Sequence, residues 1–477
     1  MSPQDVVARS MNGGMVTGRP AYLLGTGESP LCQNIDPADP LGAATRPGST
    51  FYGSIAAASG FVGLGLFPWT RNAGTQYILL QYGTTIVSMD SSGSVTSVQT
   101  GVSSDSYMAG AALNNLGVIV AAGIVPKVST TGSTLANLGG TPPTLARYCA
   151  VFSAKMWLAG DTANPTKLSF SVSNNPEDWT TSNNAGSITI GDSGDIIKGI
   201  EGTKGALYVF MRHTTYIVTG DSPFNFRVDK LADFGITSEW GHATDGQGCF
   251  FASDDGIYYA SGYSLARVSD KIRDTYVGIS DKTTVCLEIK GEKLFMTYLA
   301  SGSTNDTAMV LAYKRKMNDG RVDGVWSQYT SQPYQAMKTG RGNNLYAVTN
   351  ASSFQVYEID TGTSGAVTAL WHTPHYDFGD PTGIKTFMRG YIQANSPLST
   401  TTITVTPIID GASAGSQWSI SVGTTASYQM STFPGQTTTS LAKAHIGLKL
   451  QWTGNMRVQS YRMVADVRTD EPPRRVS

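Results

Sequence analysis

The chain has 477 residues, a formal net charge of −1, and only 14% charged residues, against the roughly 25% of an average soluble protein. That balance excludes a protein whose main task is gripping nucleic acid, which would show a basic excess or stripe. The length allows a large core and more than one domain, and abundant Gly, Ser and Thr give a turn-rich β composition.

The opening residues, MSPQDVVARSMNGG, lack a basic start followed by an apolar core. No secretory signal is expected, and synthesis in the cytoplasm follows. Residues 1–50 read as an extended arm, because Pro20, Pro30, Pro37, Pro40 and Pro47 block any long helix. Such an arm is expected to dock on something. The apolar windows 55–67 and 113–124 are too short and too rich in Gly and Ala to cross a bilayer, which takes about 20 apolar residues.

From 51 to 365, seven candidate hairpins open with strands at 76–81, 117–122, 155–158, 206–210, 248–252, 293–298 and 344–348. Their spacing of roughly 40 to 50 residues suits a four-stranded propeller blade, and six or seven blades would fit. Near-continuous apolar runs such as ALYVF suit strands buried on both faces. An array of sandwiches would show a similar pattern. Helical signal is confined to a turn or two at 144–150 and 440–444, with no heptads.

From 366 to 477 the rhythm changes. KTFMRGYIQANS, TTITVTPIIDG, SQWSISVG, IGLKLQWTG and MRVQSYRMVADVR are longer, alternating strands that predict a separate antiparallel sheet or small sandwich, followed by an exposed tail.

The four cysteines, Cys32, Cys149, Cys249 and Cys286, are scattered, without metal or disulfide spacing, and read as buried thiols. Gly191-Asp192-Ser193-Gly194 echoes a protease nucleophile segment. The first histidine is His213, downstream of Ser193, so the His, Asp, Ser order fails and a turn is expected. Ser173 to Trp179, SNNPEDW, loosely echoes a sialidase box but occurs once, and glycosidase chemistry needs a placed carboxylate pair. His372, His375 and Asp377 are read as a strand-to-loop junction with exposed histidines rather than a metal site. Asp254-Asp255-Gly256 and the Asp319-Gly320, Asp323-Gly324 loop are hairpin closures lacking the ligand pattern of a calcium loop. No enzyme, cofactor or metal is therefore expected. Trp69, Trp179, Trp240, Trp326, Trp371, Trp418 and Trp452 either pack across blades or anchor an interface.

Several strings resemble a known family. SNNPEDW, with Asp178 and Trp179, is followed by Ile190-Gly191-Asp192, then GALYVF, then YIVTG running into Asp221-Ser222-Pro223, then DDGIYYASG…VSDKI with Asp254, Asp255 and Gly256. The earlier SPLCQNIDPADPLGAATRPGS supplies an N-x-D…R-P-G pattern in Asn34, Asp36, Arg46, Pro47 and Gly48. Together, over most of residues 20–360, they resemble the tail nozzle (tail tube or head-tail stabilisation) proteins of short-tailed, podovirus-type phages.

That resemblance implies an all-β protein: a β-propeller over 51–365, the arm 1–50, and a C-terminal β domain over 366–477, with the last two forming a platform. It implies a virion structural protein assembled in the host cytoplasm, a homo-hexameric ring beneath the portal and its adaptor, and contacts with tail fibre or plug proteins. DNA would pass the lumen without specific binding, which suits a chain with few cationic phosphate contacts. The ten motif residues are then structural or interface residues. The alternative is a receptor- or glycan-binding propeller of a fibre or baseplate.

Overall fold

The computed structural model describes residues 4–55, 63–104, 107–191, 194–301, 305–314, 324–349, 354–362, 367–381, 384–409, 412–413, 417–434, 441–442 and 445–468. Among them, seven four-stranded antiparallel units succeed one another, six as separate sheets and the sixth in order as the start of a longer one. Their innermost strands touch in sequence, and Tyr334–Thr339 of the last packs against Gly63–Thr70 of the first, closing a ring. The protein is a seven-bladed β-propeller.

Each of the seven expected hairpin strands is the second strand of a blade, from Gln76–Tyr82 in blade I to Leu345–Thr349 in blade VII. They are the most apolar because neighbours cover both faces; Leu207–Met211 and Lys293–Tyr298 are buried throughout. Tight turns set the register. Asn114 and Asn115, both with positive φ, join Ala109–Leu113 to Leu116–Val120, a two-residue connection that matches strand twist.

Blade VII closes the ring with sequence-distant material. Its outer strand is Ser49–Ile55, paired antiparallel to Phe354–Ile359. The 144–150 turn of helix is not formed. Tyr148–Phe152 is the innermost strand of blade III, paired to Lys155–Ala159, because its apolar residues are worth more between two blades than on a helix face. The α-helix of the described residues is Arg273–Val277, following the 3₁₀ turn Asp270–Ile272, with Ile272 and Tyr276 buried. Five residues are too few to give a helical period in the sequence.

The C-terminal strands form two facing sheets. One pairs Gln4–Ala8, Arg457–Arg468, Ile384–Ser396 and Thr425–Pro434 in that order. The other runs Thr368–His372, Ile446–Thr453, Thr401–Ile409, and it is continuous with blade VI. Strand Cys32–Gln33 lies between Val325–Thr330 of that blade and Thr368–His372. The sandwich therefore does not stand apart: Trp371, Leu450 and Tyr461 share one core cluster with Phe250, Leu294 and Trp326 of blades V and VI. The arm docks on its own chain. Leu441–Ala442 is a short strand where a helical turn was expected; Asp192, Ser193, Asp319, Gly320, Asp323 and the tail 469–477 lie outside the described residues.

Candidate functional site: the arm junction and the axial cavity

Asn34 sits in the left-handed region, φ 55°, where asparagine is tolerated better than most residues. Its amide Nδ2 donates to Thr330 Oγ1 and to the Thr368 carbonyl, both at 2.8 Å. Its Oδ1 accepts from Arg46 Nε at 2.9 Å and from the Thr330 amide at 3.0 Å. Arg46 is buried, donates to the Pro47 carbonyl, and stacks its guanidinium 4.9 Å from the Tyr329 ring centre. Burial pulls the Arg46 pKa below its ordinary value, against the opposing pull of Tyr329, Tyr334 and Asp360.

Asp36 carries the second half of this junction. Lys293 Nζ lies 2.9 Å from Asp36 and 2.9 Å from Asp360. Burial works against the ammonium, but the two carboxylates outweigh it and raise its pKa. Gly48 completes the turn into the closing strand, its carbonyl accepting from the Thr361 amide. Asn34, Asp36, Arg46, Pro47 and Gly48 thus form one polar weld between arm, blade VI, blade VII and sandwich.

The other motif residues lie elsewhere. In blade III, Asp178 accepts from the Thr180 amide and Asn183 Nδ2, which holds its carboxyl below the ordinary value. Trp179 is 8% exposed and donates to the Pro176 carbonyl. In blade V, Asp254 takes a two-pronged contact from Arg212, and Asp255 pairs with Arg267 and accepts from Tyr258. A Cβ on Gly256 would stand 2.7 Å from Ser269 Oγ, which itself accepts from the Ile257 amide. This explains why DDGI and VSDKI belong together: the turn and the later serine clamp one blade end.

Of the two readings given for the tryptophans, packing is the one the structure shows. Trp69, Trp326, Trp371 and Trp452 are at most 3% exposed, and Trp240 and Trp418 are half-buried. His372 and His375 are also half-buried rather than exposed, because Gly447 lets His375 pack against its backbone. Burial, Lys449 and His375 pull the His372 pKa down to about 4. Among the described residues, no group of three His, Cys, Asp or Glu side chains is placed to hold a metal ion.

A charged cluster that no sequence motif announces sits at the propeller axis. A cavity of about 240 Å³ is lined there by the innermost strands of blades II, III and IV, with His242 and Lys338. His242 Nδ1 lies 3.0 Å from Glu201 Oε2, and Lys338 Nζ 3.3 Å from Glu288 Oε2. Burial would raise the Glu201 pKa, but Lys338 and His242 outweigh it and lower it; burial prevails at Glu288, whose pKa is raised. Burial disfavours the Lys338 ammonium, yet the two glutamates hold its pKa above the ordinary value. Tyr107 stacks edge-on against Trp240 at 3.8 Å within the same axis. The available signal was a charge set among the apolar residues of an innermost strand: Glu201 in IKGIEG, Glu288 in CLEIK and Lys338 in YQAMKT.

No family profile matches the chain, and no curated protein matches it in sequence. Among solved structures, it is similar to the Neurospora crassa Pan2 WD40 domain, with a TM-score of 0.45 and 9% identity over 66% of this chain and 97% of that one. It is also similar to a streptogramin B lyase, with a TM-score of 0.41 and 11% identity over 64% and 95% of the two chains. A third is virginiamycin B lyase from Staphylococcus aureus, at 0.42 and 10% over 62% and 94%. These likenesses concern the propeller fold.

Proposed function

We propose that this chain is a non-catalytic virion protein, one subunit of a six-membered tail nozzle ring that attaches beneath the portal-adaptor complex of a short-tailed phage. The observation that carries the reading is the N-x-D…R-P-G segment and what it does here: Asn34, Asp36 and Arg46 weld propeller and sandwich into one body. A ring subunit that transmits load from an attachment platform to a nozzle needs such a rigid coupling. The sandwich built from both chain ends is the platform that meets the adaptor, and the propellers surround the exit path.

At the propeller axis, which Tyr107, Trp240 and Lys338 narrow, the cavity of about 240 Å³ is far too small for a DNA duplex. DNA therefore passes between subunits, through a lumen in which acidic and polar groups outnumber basic ones, so that phosphates are not held. Exposed apolar residues on loops and on the open sandwich sheet, Phe224 at 88% and Met430 at 70%, suit contacts with neighbouring copies or with fibre and plug proteins.

The test is deletion of the gene from the phage genome, followed by negative-stain imaging. Heads that package DNA but lack a tail tube, or leak and empty, support the reading. Complete tails on non-infectious particles refute it in favour of a receptor-binding module.

A further inference from the structure

A second cavity, of about 340 Å³, opens beside the weld at the arm junction. Sheet pairing assembles its wall: Leu370 lies opposite Gln33 on one side and Gln451 on the other, and Arg46, Thr330 and Ser331 close it from the arm and the end of blade VI. Arg46 is the sole charged residue in that wall, and it is 8% exposed. No carboxylate of the described residues contacts it. Asp36 and Asp360 each lie 2.9 Å from Lys293 instead, so Asp360 reaches the guanidinium only as a longer-range attraction.

A buried cation without a contacting counter-ion is costly, and here neutral groups stand in for one. Asn34 Oδ1 accepts from Nε, the Pro47 carbonyl from Nη1, and the Thr330 carbonyl from Nη2 at 3.5 Å, the outer limit of a hydrogen bond. Nη1 and Nη2 each carry a second N–H. The rest of the wall adds donors. The Gln451 amide and the Ser331 hydroxyl have no partner among the described residues. Thr330 Oγ1 accepts from Asn34, which leaves its own hydrogen to donate, and Gln33 Nε2 gives one N–H to Gln328 and keeps another. Val367 and Leu370, both half-buried, supply an apolar flank. Donors around one guanidinium, with apolar surface beside them, suit a carboxylate on a short alkyl chain. An ammonium of the same shape meets a like charge, and a dianion finds one cation for its two charges.

We infer that this cavity binds the carboxylate of a small organic monoanion, with Arg46 as its cationic partner, Gln451 and Ser331 donating to its oxygens, and Leu370 with Val367 receiving its alkyl part.

Saturation-transfer difference NMR on the full-length protein with sodium butyrate, at neutral pH and constant ionic strength, tests this. A saturable signal is expected from butyrate, and none from n-butylammonium chloride. Gln451→Glu sets a carboxylate in the wall at a half-buried position outside the weld, and should weaken butyrate binding at least tenfold; Arg46→Gln should do the same. Each variant is checked for folding by circular dichroism. Absence of a saturable butyrate signal overturns the assignment, as does equal binding of n-butylammonium or undiminished binding by folded Gln451→Glu. If neither variant folds, the comparison of the two probes on the wild-type protein decides it.

Discussion

At the scale of single residues, Asn34 has the most work concentrated in one side chain. Four hydrogen bonds converge on its amide, one to a residue 334 positions away. Asn34→Ala leaves Arg46 Nε and the Thr330 amide without acceptors and places alanine at φ 55°. Each unpaired buried group costs about 1–3 kcal/mol and the left-handed backbone about 1 more. The unfolding free energy from urea titration should fall accordingly, by on the order of 3 kcal/mol, and an unchanged value would remove the weld from the account. The cysteines give a second prediction. All four are buried and unpaired, and burial pushes the Cys32 and Cys286 thiols up to about 12. A thiol reagent should label none in the native protein and four after denaturation. Burial of Cys149 and Cys249 was legible in the apolar runs around them. The partners of Asn34 were not, because Thr330 and Thr368 are remote in sequence and only the closed fold brings them near.

At the scale of elements, the second strand of every blade could be read directly, since burial on both faces writes itself as an uninterrupted apolar run. The outer strands could not. Arg227–Ala232 and Val95–Thr100 are half-buried or exposed and carry no such run. Helix Arg273–Val277 is held by tertiary contacts, with Tyr276 donating to the Ser253 carbonyl, and five residues give no periodicity to detect. Close approach of blades is a further element-level property. A Cβ on Gly202 would sit 2.0 Å from the Val151 carbonyl oxygen of the neighbouring innermost strand. Gly202→Ala should therefore lower the melting temperature by several degrees, as overpacking against backbone costs roughly 1–3 kcal/mol. By contrast the turn at Ser222 to Asn225 is braced by Asn225 Oδ1, which accepts from the amides of Asp221 and Ser222, and it projects Phe224 into solvent. Phe224→Ser should leave melting unchanged while reducing ring assembly, read by mass photometry; a large drop in melting temperature would show that the side chain packs within its own chain.

For the whole molecule, pH response follows from the inventory of buried acids. Tyr52, Tyr208, Tyr259 and Tyr376 are pushed from 10.0 to about 12 by burial, and Lys293 is raised above 10.5 by its two carboxylates. Each folded-state value lies above the unfolded one, so the stabilisation is complete below the unfolded value and is lost as pH climbs through the folded value. Melting temperature should be level to about pH 9, where the thiols begin to count, and fall steeply toward pH 12. Tyrosinate absorbance should lag until the fall and then rise with it; early titration of all tyrosines would contradict their burial. The repeat of four-stranded units and a C-terminal β region were visible in strand rhythm, but ring closure and the fusion of the two were not. That fusion rests on Cys32–Gln33, a strand of two residues lying between sheets, too short to leave a pattern.

The closing strand also sets an order of events during synthesis. Ser49–Ile55 leaves the ribosome before any blade exists, yet its partner Phe354–Ile359 is made some three hundred residues later. Gln4–Ala8 waits longer still, for Arg457–Arg468. Until then the nascent ring is an open arc with an unsatisfied seventh sheet, and a second nascent chain nearby can offer the same strand. Chains made on one polysome are thus exposed to strand exchange, and faithful closure depends on the tether winning over the neighbour through its higher effective concentration.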